Sequence, residues 1–192
     1  MTKIGTNVRM SQTEKYFGKY LNKSTKVIDI GAGNGYISQY LVGKFKCKMH
    51  CSDIIDYMEC DIPFTLIKNN KLPFKENAFD IAIMNDVLHH MPPKIQAIML
   101  KEATRIAKKL LIVETDRKVM ALILDTVFSR IQCFSMPIPY THKSSDNWKK
   151  LFAEIGLSFK EEKVKKDWYY PLHHLFFAVS KNVQNVQESK KL

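Results

Sequence analysis

The stretch Lys26-Val27-Ile28-Asp29-Ile30-Gly31-Ala32-Gly33-Asn34-Gly35-Tyr36 constrains the fold more than any other part of this chain. Val27, Ile28 and Ile30 are β-branched and suit a buried strand. Three glycines then alternate with small residues, as required where backbone must bend with positive φ or come close to a ligand. Ile37, Tyr40, Leu41 and Phe45 recur at helical spacing, which predicts a helix from about Tyr36 to Lys44. Strand, glycine turn and helix in that order open an α/β sheet. The turn lies at the carboxyl end of the first strand, where such sheets bind small molecules.

The rest of the chain extends this pattern. Ser11 as N-cap with Glu14 three residues later predicts a helix over 11–21 that buries Tyr16, Phe17, Tyr20 and Leu21, followed by a turn to Thr25. Lys48–Ser52 reads as a second strand ending at Asp53. The chain from there to Pro63 is too short for a full crossover helix, which predicts an irregular connection. Phe64–Lys68 is a third strand, and Phe79–Met84 a fourth that exits at Asn85-Asp86. Pro92 and Pro93 suit the first turn of a helix buried through Ile95, Ile98, Met99, Ala103 and Ile106. Leu110–Val113 is apolar throughout, like a central parallel strand. Trp148, Leu151, Phe152 and Ile155 mark a further helix ended by Gly156, and Leu157–Val164 and Leu172–Ser180 a final, antiparallel strand pair. Five strands alternating with helices predict a mostly parallel, seven-stranded Rossmann-like sheet with helices on both faces. Residues 1–180 read as a single domain, with a polar tail over 181–192.

With 45% apolar and 11% aromatic residues among 192, the chain is globular. No apolar run approaches the ~20 residues of a membrane span. Met1–Gln12 lacks the apolar segment of a signal peptide. Cys47, Cys51, Cys60 and Cys133 show neither CxxC nor zinc-ligand spacing, so a reduced, cytoplasmic setting without a structural metal is the plain expectation. The net charge of +11 comes mainly from lysine, the arginines being Arg9, Arg105, Arg117 and Arg130. Lysines on solvated faces account for it, with RNA or an anionic membrane surface as the rival explanations.

Spacing narrows the ligand. Dinucleotide folds use G-x-G-x-x-G, but here the third glycine comes one residue early, at Gly35, and Tyr36 occupies the dinucleotide position. No Gly-Lys-Ser/Thr follows, which excludes a Walker loop. Asp53, 22 residues after Gly31, can accept from two ribose hydroxyls, or cap the turn it ends.

The run Asp29-Ile30-Gly31-Ala32-Gly33-Asn34-Gly35 resembles the D-x-G-x-G-x-G motif of class I S-adenosylmethionine-dependent methyltransferases. Leu72-Pro73-Phe74, Phe79-Asp80 and Val87-Leu88-His89-His90 resemble, in order, the LPF, FD and LHH landmarks of a small-molecule branch of that family. The resemblance implies S-adenosylmethionine as cofactor. It places Gly31, Ala32 and Gly33 against the methionine and ribose portion, with Asp29 holding the turn from beneath and Gly35 completing it. Asp53 would take the ribose hydroxyls and Ile54 one adenine face. Asn69 and Asn70 stand where the family often has an acid near the adenine amine, and Asn85 and Asp86 would lie below the sulfonium.

Methyl transfer from a sulfonium needs alignment and exclusion of water. A base is needed only where the acceptor must lose a proton. His89 and His90 are the candidates for that base, or else shape the loop. Glu114 and Asp116, ending the fifth strand at the cleft edge, could bind or orient an acceptor, though solvated loop-end acids are the plainer expectation. Val119–Phe128 is apolar on nearly every side, which fits burial, an acceptor pocket or a membrane contact. The segment 117–143, including Met136-Pro137-Ile138-Pro139-Tyr140, is expected to be a substrate-shaping insertion. Trp168-Tyr169-Tyr170 beside Lys163, Lys165 and Lys166 would either stack a base or close a core edge. The expectation is therefore a methyltransferase with a small, apolar or lipid-like acceptor, and no protein partner is inferred. An RNA methyltransferase and a non-catalytic methyltransferase-like binding subunit are the alternatives.

Overall fold

The computed structural model describes residues 3–116, 141–163 and 173–182, with side chains from Arg9 onward. Val119–Phe128, Met136–Tyr140 and Trp168–Tyr170 lie outside the described residues. Element order is α1 (Lys3–Phe17), β1 (Lys26–Ile30), α2 (Tyr36–Phe45), β2 (Lys48–Asp53), β3 (Phe64–Leu66), β4 (Phe79–Asn85), α3 (Pro93–Ile106), β5 (Ala107–Thr115), α4 (Ser145–Glu154), β6 (Leu157–Glu161) and β7 (His174–Lys181). The strands form one seven-stranded sheet in the order β3-β2-β1-β4-β5-β7-β6. β1 to β5 are parallel, and β7 runs antiparallel to both β5 and β6. This is the predicted Rossmann-like sheet. Its strand order reverses between β1 and β4, the switch point at which ligands bind.

Alternation along the central strands explains the two-sided core. Ile28, Ile30, Ala82, Met84, Leu110 and Ile112 pack on one face with Leu100 and Ala103 of α3 and Trp148 and Phe152 of α4. Val27, Ile81, Ile83, Leu111 and Val113 pack on the other with Tyr16, Phe17 and Leu41 of α1 and α2. Strands buried on both faces read as continuous apolar runs, as β1, β4 and β5 do.

Several boundaries differ from expectation. Ser11 is not an N-cap: α1 already runs from Lys3, and Thr13 there donates its hydroxyl to Arg9 O (2.8 Å). The S-x-x-E pattern sits inside a helix, where local spacing alone cannot distinguish it from a start. Tyr16, Phe17 and Leu21 are nonetheless buried, and Asn22–Thr25 is a turn closed by Thr25 N–H to Asn22 O (3.0 Å). β3 stops at Leu66 because Asn69 and Asn70 turn the chain with φ of 52° and 56°. β5 is longer than its apolar run, beginning at Ala107 where α3 ends and reaching Thr115. β6 ends at Glu161 rather than Val164. No helix is assigned between β2 and β3, in accord with the irregular connection.

The landmark residues are structural. Leu72 N–H donates to Glu102 (2.9 Å), while Arg105 donates to Leu72 O (3.0 Å) and Phe74 O (2.8 Å). Phe74 meets Phe79 edge-on at 5.0 Å, and Asp80 accepts from Lys26 N–H (3.0 Å) and Lys108 (2.7 Å). These contacts lock the lower end of the sheet to α3.

Candidate active site

The glycine turn is held to the sheet by its own backbone. Gly31 N–H and Ala32 N–H both reach Ser52 O, at 2.7 and 3.2 Å. Gly31 has φ of +81°, and a Cβ there would lie 2.2 Å from Val87 Cγ2, so it is glycine because the loop after β4 presses on it. Gly33, φ +56°, has nothing within 4 Å of the same position. It leaves an open face on the turn, beside the end of β2. Gly35 caps the start of α2.

Asp53 ends β2 beside this turn. One carboxylate oxygen accepts from Gly33 N–H (2.9 Å), the other from Ile54 N–H (2.7 Å). Each oxygen keeps a further lone pair, so the observed cap leaves room for a second donor such as a hydroxyl. Ile54 is 63% exposed, an apolar surface at the mouth of the cleft suited to an adenine face. Asn69 and Asn70 follow β3 at the same edge, two and three positions after Ile67, whose N–H donates to Asp53 O (2.8 Å).

Asp29 is buried beneath the turn and accepts from the Ser38 hydroxyl (2.6 Å). Burial raises its carboxyl to about 6, against the pull of Ser38, while Asp53 adds to the rise and Arg9 opposes it. A carboxyl raised in the folded state favours folding below its ordinary value, near pH 4, and that contribution is lost as pH rises through 6. Asp29→Asn is therefore expected to stabilise the cofactor-free protein at pH 8, by on the order of 3 kcal/mol, with the gain gone at pH 4. Thermal melts at the two pH values check this; an equal effect at both would refute it.

Asn85 and Asp86 end β4 as predicted. Asp86 sits at φ +52°, its N–H bonded to Val113 O (2.8 Å). Its carboxylate meets His174 Nε2 (3.2 Å), Thr115 Oγ1 (3.1 Å) and Arg9 (3.3 Å). Burial works against its charge, but His174 and then Arg9 and His89 outweigh this and hold the carboxyl far below the usual carboxylate range. Asp86 thus ties α1, β5 and β7 to the end of β4.

Glu114 overturns its expectation. It is not a solvated loop-end acid: it is 1% exposed. One oxygen accepts from Val87 N–H (3.0 Å) and Leu88 N–H (2.7 Å), and the other lies 2.7 Å from His89 Nδ1. His89 is buried too, stacked on His142 at 4.4 Å and adjoining His90 at 4.0 Å. His90 alone of the candidate pair is part-exposed. Asp86, His89 and Glu114 each bring a metal-ligand type of atom within 4.8 Å of the others. Yet Glu114 gives its oxygens to three N–H or ring partners and Asp86 faces Arg9 and His174, so the cluster is wired as a hydrogen-bond hub. Thr141 completes it, donating its N–H to His89 O (3.3 Å), and Gln96, buried on α3, donates to Leu88 O (2.9 Å) and Thr141 Oγ1 (2.8 Å). Arg9, His142, Thr141 and His174 were not legible as site residues. They are isolated in the chain and converge only through the topology.

A family model described as a methyltransferase domain matches residues 6–174. The chain belongs to that family, and is a class I methyltransferase with S-adenosylmethionine as methyl donor. Among solved structures it resembles the PH0226 protein of Pyrococcus horikoshii OT3 (TM-score 0.68, 17% identity, 95% of this chain and 93% of that one). It also resembles the magnesium protoporphyrin IX methyltransferase ChlM of Synechocystis PCC 6803 with bound S-adenosylhomocysteine (0.63, 18%, 93% and 84%). A third is the putative methyltransferase of Haloferax volcanii in complex with the Trm112 activator (0.66, 15%, 94% and 95%). At such identities the likeness establishes the fold. Among curated proteins, the mitochondrial arginine-hydroxylase NDUFAF5 of Mus musculus is 38% identical over 69 residues, 32% of this chain and 20% of that protein. The matched stretch spans about a fifth of that relative's length.

Proposed function

We propose that this methyltransferase acts on a small, apolar or lipid-like acceptor, in the cytoplasm. The observation that carries the reading is where the segment 117–140 leaves and rejoins the described fold. Asp116 follows β5, its N–H bonded to His173 O (2.8 Å), and Thr141 returns onto His89 O. Both anchors belong to the hub at the carboxyl end of β4 and β5. The intervening sequence contains Val119, Met120, Leu122, Ile123, Leu124, Val127 and Phe128. An apolar stretch of sequence between two such described anchors suits an apolar acceptor, in line with the apolar lining of most ligand sites. Cys47, Cys51 and Cys60 are free, which suits a reducing compartment.

The cofactor supplies a methyl group already activated on its sulfonium. The chain's own residues align and shield. Gly33 and Asp53 hold the adenosyl side, Asp29 and Asp86 place negative charge by the cationic groups, and the Glu114–His89 pair fixes the loop that carries His90. His90, part-exposed, would take the proton where the acceptor is a phenol or carbon acid.

Incubation with tritium-labelled S-adenosylmethionine and either an organic-solvent extract of cells or total RNA tests the acceptor class. Label is expected in the organic phase. The charge of +11 motivates the RNA alternative; label in RNA at physiological salt would overturn the small-molecule reading.

A further inference from the structure

The loop after β4, Val87–Met91, carries His89 and His90, and its backbone is held from two sides. On the sheet side Glu114 of β5 accepts from Val87 N–H and Leu88 N–H (3.0 and 2.7 Å). On the helix side the loop offers carbonyls, and one buried amide serves two of them. Gln96 of α3, 0% exposed, donates through Nε2 to Leu88 O (2.9 Å), Met91 O (3.2 Å) and Thr141 Oγ1 (2.8 Å). Thr141 Oγ1 in turn reaches His89 O (2.9 Å) and Met91 O (2.8 Å). The amide can do this in one orientation only, because turned over it would set its oxygen against the two carbonyl oxygens. Lys143 settles the orientation, since its ammonium donates to Gln96 Oε1. Lys143 immediately precedes Ser144, the N-cap of α4, and its ammonium stands 5.0 Å from the centre of the Trp148 ring. Burial works against that charge and Glu114 supports it. An anion therefore grips the loop on one side and, through Gln96, a cation on the other.

We propose that Lys143 is a positioning residue for the histidine loop, acting through Gln96 by fixing which way that buried amide points. This rests on the reading of His90 as the group of the loop that meets the acceptor. A neutral side chain at 143 takes the charged donor from Gln96 Oε1 and removes what distinguishes the two orientations of the amide. Turning the amide over releases Leu88 O and Met91 O, the two carbonyls that bracket His89 and His90. The aim of the His90 ring follows the backbone that carries it, and a misplacement of about 1 Å at a reacting group can lower a rate about a hundredfold. Thr141, His142 and Lys143 thus act on one loop by three routes: a hydroxyl on its carbonyls, a ring stacked on His89 at 4.4 Å, and the amide of Gln96.

Two readouts separate positioning from mere support of the fold. The first is the carbon–proton NMR signal of the His90 ring in the intact protein. In Lys143→Met it is expected to shift or split, while the amide signals of β1 and β2 stay in place and show a folded sheet. Gln96→Glu, which keeps the shape and loses the two N–H donors, should do the same. Lys143→Arg, which keeps a charged donor, should restore the signal. The second readout is label transfer from tritium-labelled S-adenosylmethionine to the organic-solvent extract. Lys143→Met is expected to lower the rate at saturating donor tenfold or more, with the KM for the donor within twofold. An unchanged His90 signal in Lys143→Met, or a KM for the donor that rises as far as the rate falls, overturns the role of Lys143. Absence of label in the extract with the unaltered protein overturns the acceptor reading instead, and the ring signal still decides Lys143.

Discussion

Glu114→Ala is expected to lose about 3–5 kcal/mol of folding stability, measured as a lower midpoint in urea at unchanged slope. The size follows from what a single side chain satisfies. Val87 N–H, Leu88 N–H and His89 Nδ1 all turn to this carboxylate in a site with 1% exposure, where no water replaces the lost acceptor. Glu114→Gln keeps one carbonyl oxygen for the two N–H groups and should lose about 1–2 kcal/mol, the remainder coming from the altered partner of His89. Glu114→Ala combined with His89→Ala should lose less than the sum, since the partners share one network. A loss below about 1 kcal/mol for Glu114→Ala would show that the hub is not what holds the loop.

The second large effect separates two glycines that look alike in the motif. Gly31→Ala is expected to destabilise by about 2–5 kcal/mol, combining left-handed backbone strain with a methyl group driven into Val87. The built Cβ lies 2.2 Å from Val87 Cγ2 and 2.9 Å from Val87 Cβ, and Val87→Ala in the same chain should recover part of the loss. Gly33→Ala meets nothing within 4 Å and should lose only about 1–2 kcal/mol from its φ of +56°. Its expected effect is on ligand, with S-adenosylhomocysteine affinity falling tenfold or more as the new methyl group fills the open face. Urea unfolding and calorimetry on the two variants check the contrast. Comparable ligand affinity in Gly33→Ala and the unaltered protein would move the adenosyl site elsewhere.

The elements were legible where local pattern and tertiary demand coincide. β1, β4 and the core of β5 are apolar because they are buried on both faces, and α2 and α3 carry apolar stripes at the expected spacing, except that Ile98, expected to be buried, is 46% exposed because it falls off the face of α3 that meets the sheet. Boundaries failed where one rule was read alone. The capping pattern at Ser11 lies within a longer helix, and the lysines at the start of β5 conceal a strand whose lower end is solvated. Gly31 and Gly33 stand two positions apart in one short motif and Asp53 ends the very next strand, so these candidates were legible from spacing along the chain. Arg9, Glu114, His142 and His174 were not, because each is defined by a partner far away in the chain. Glu114 was read as solvated since a strand-end acid usually is. Its burial follows from the loop that folds over it, which no local spacing encodes.

β7 is the last of the described strands in the chain, yet the sheet inserts it between β5 and β6. Phe176 and Phe177 enter the two opposite hydrophobic layers, and His174 closes on Asp86. A nascent chain that has emerged only as far as Glu161 therefore holds β5 with an open edge and β6 with no strand beside it. The acid at the end of β4 still lacks one of its partners. Synthesis proceeds from the amino end and domains close as units. For this protein, closure of the sheet and completion of the charged cluster arrive together, after the ribosome has passed β7.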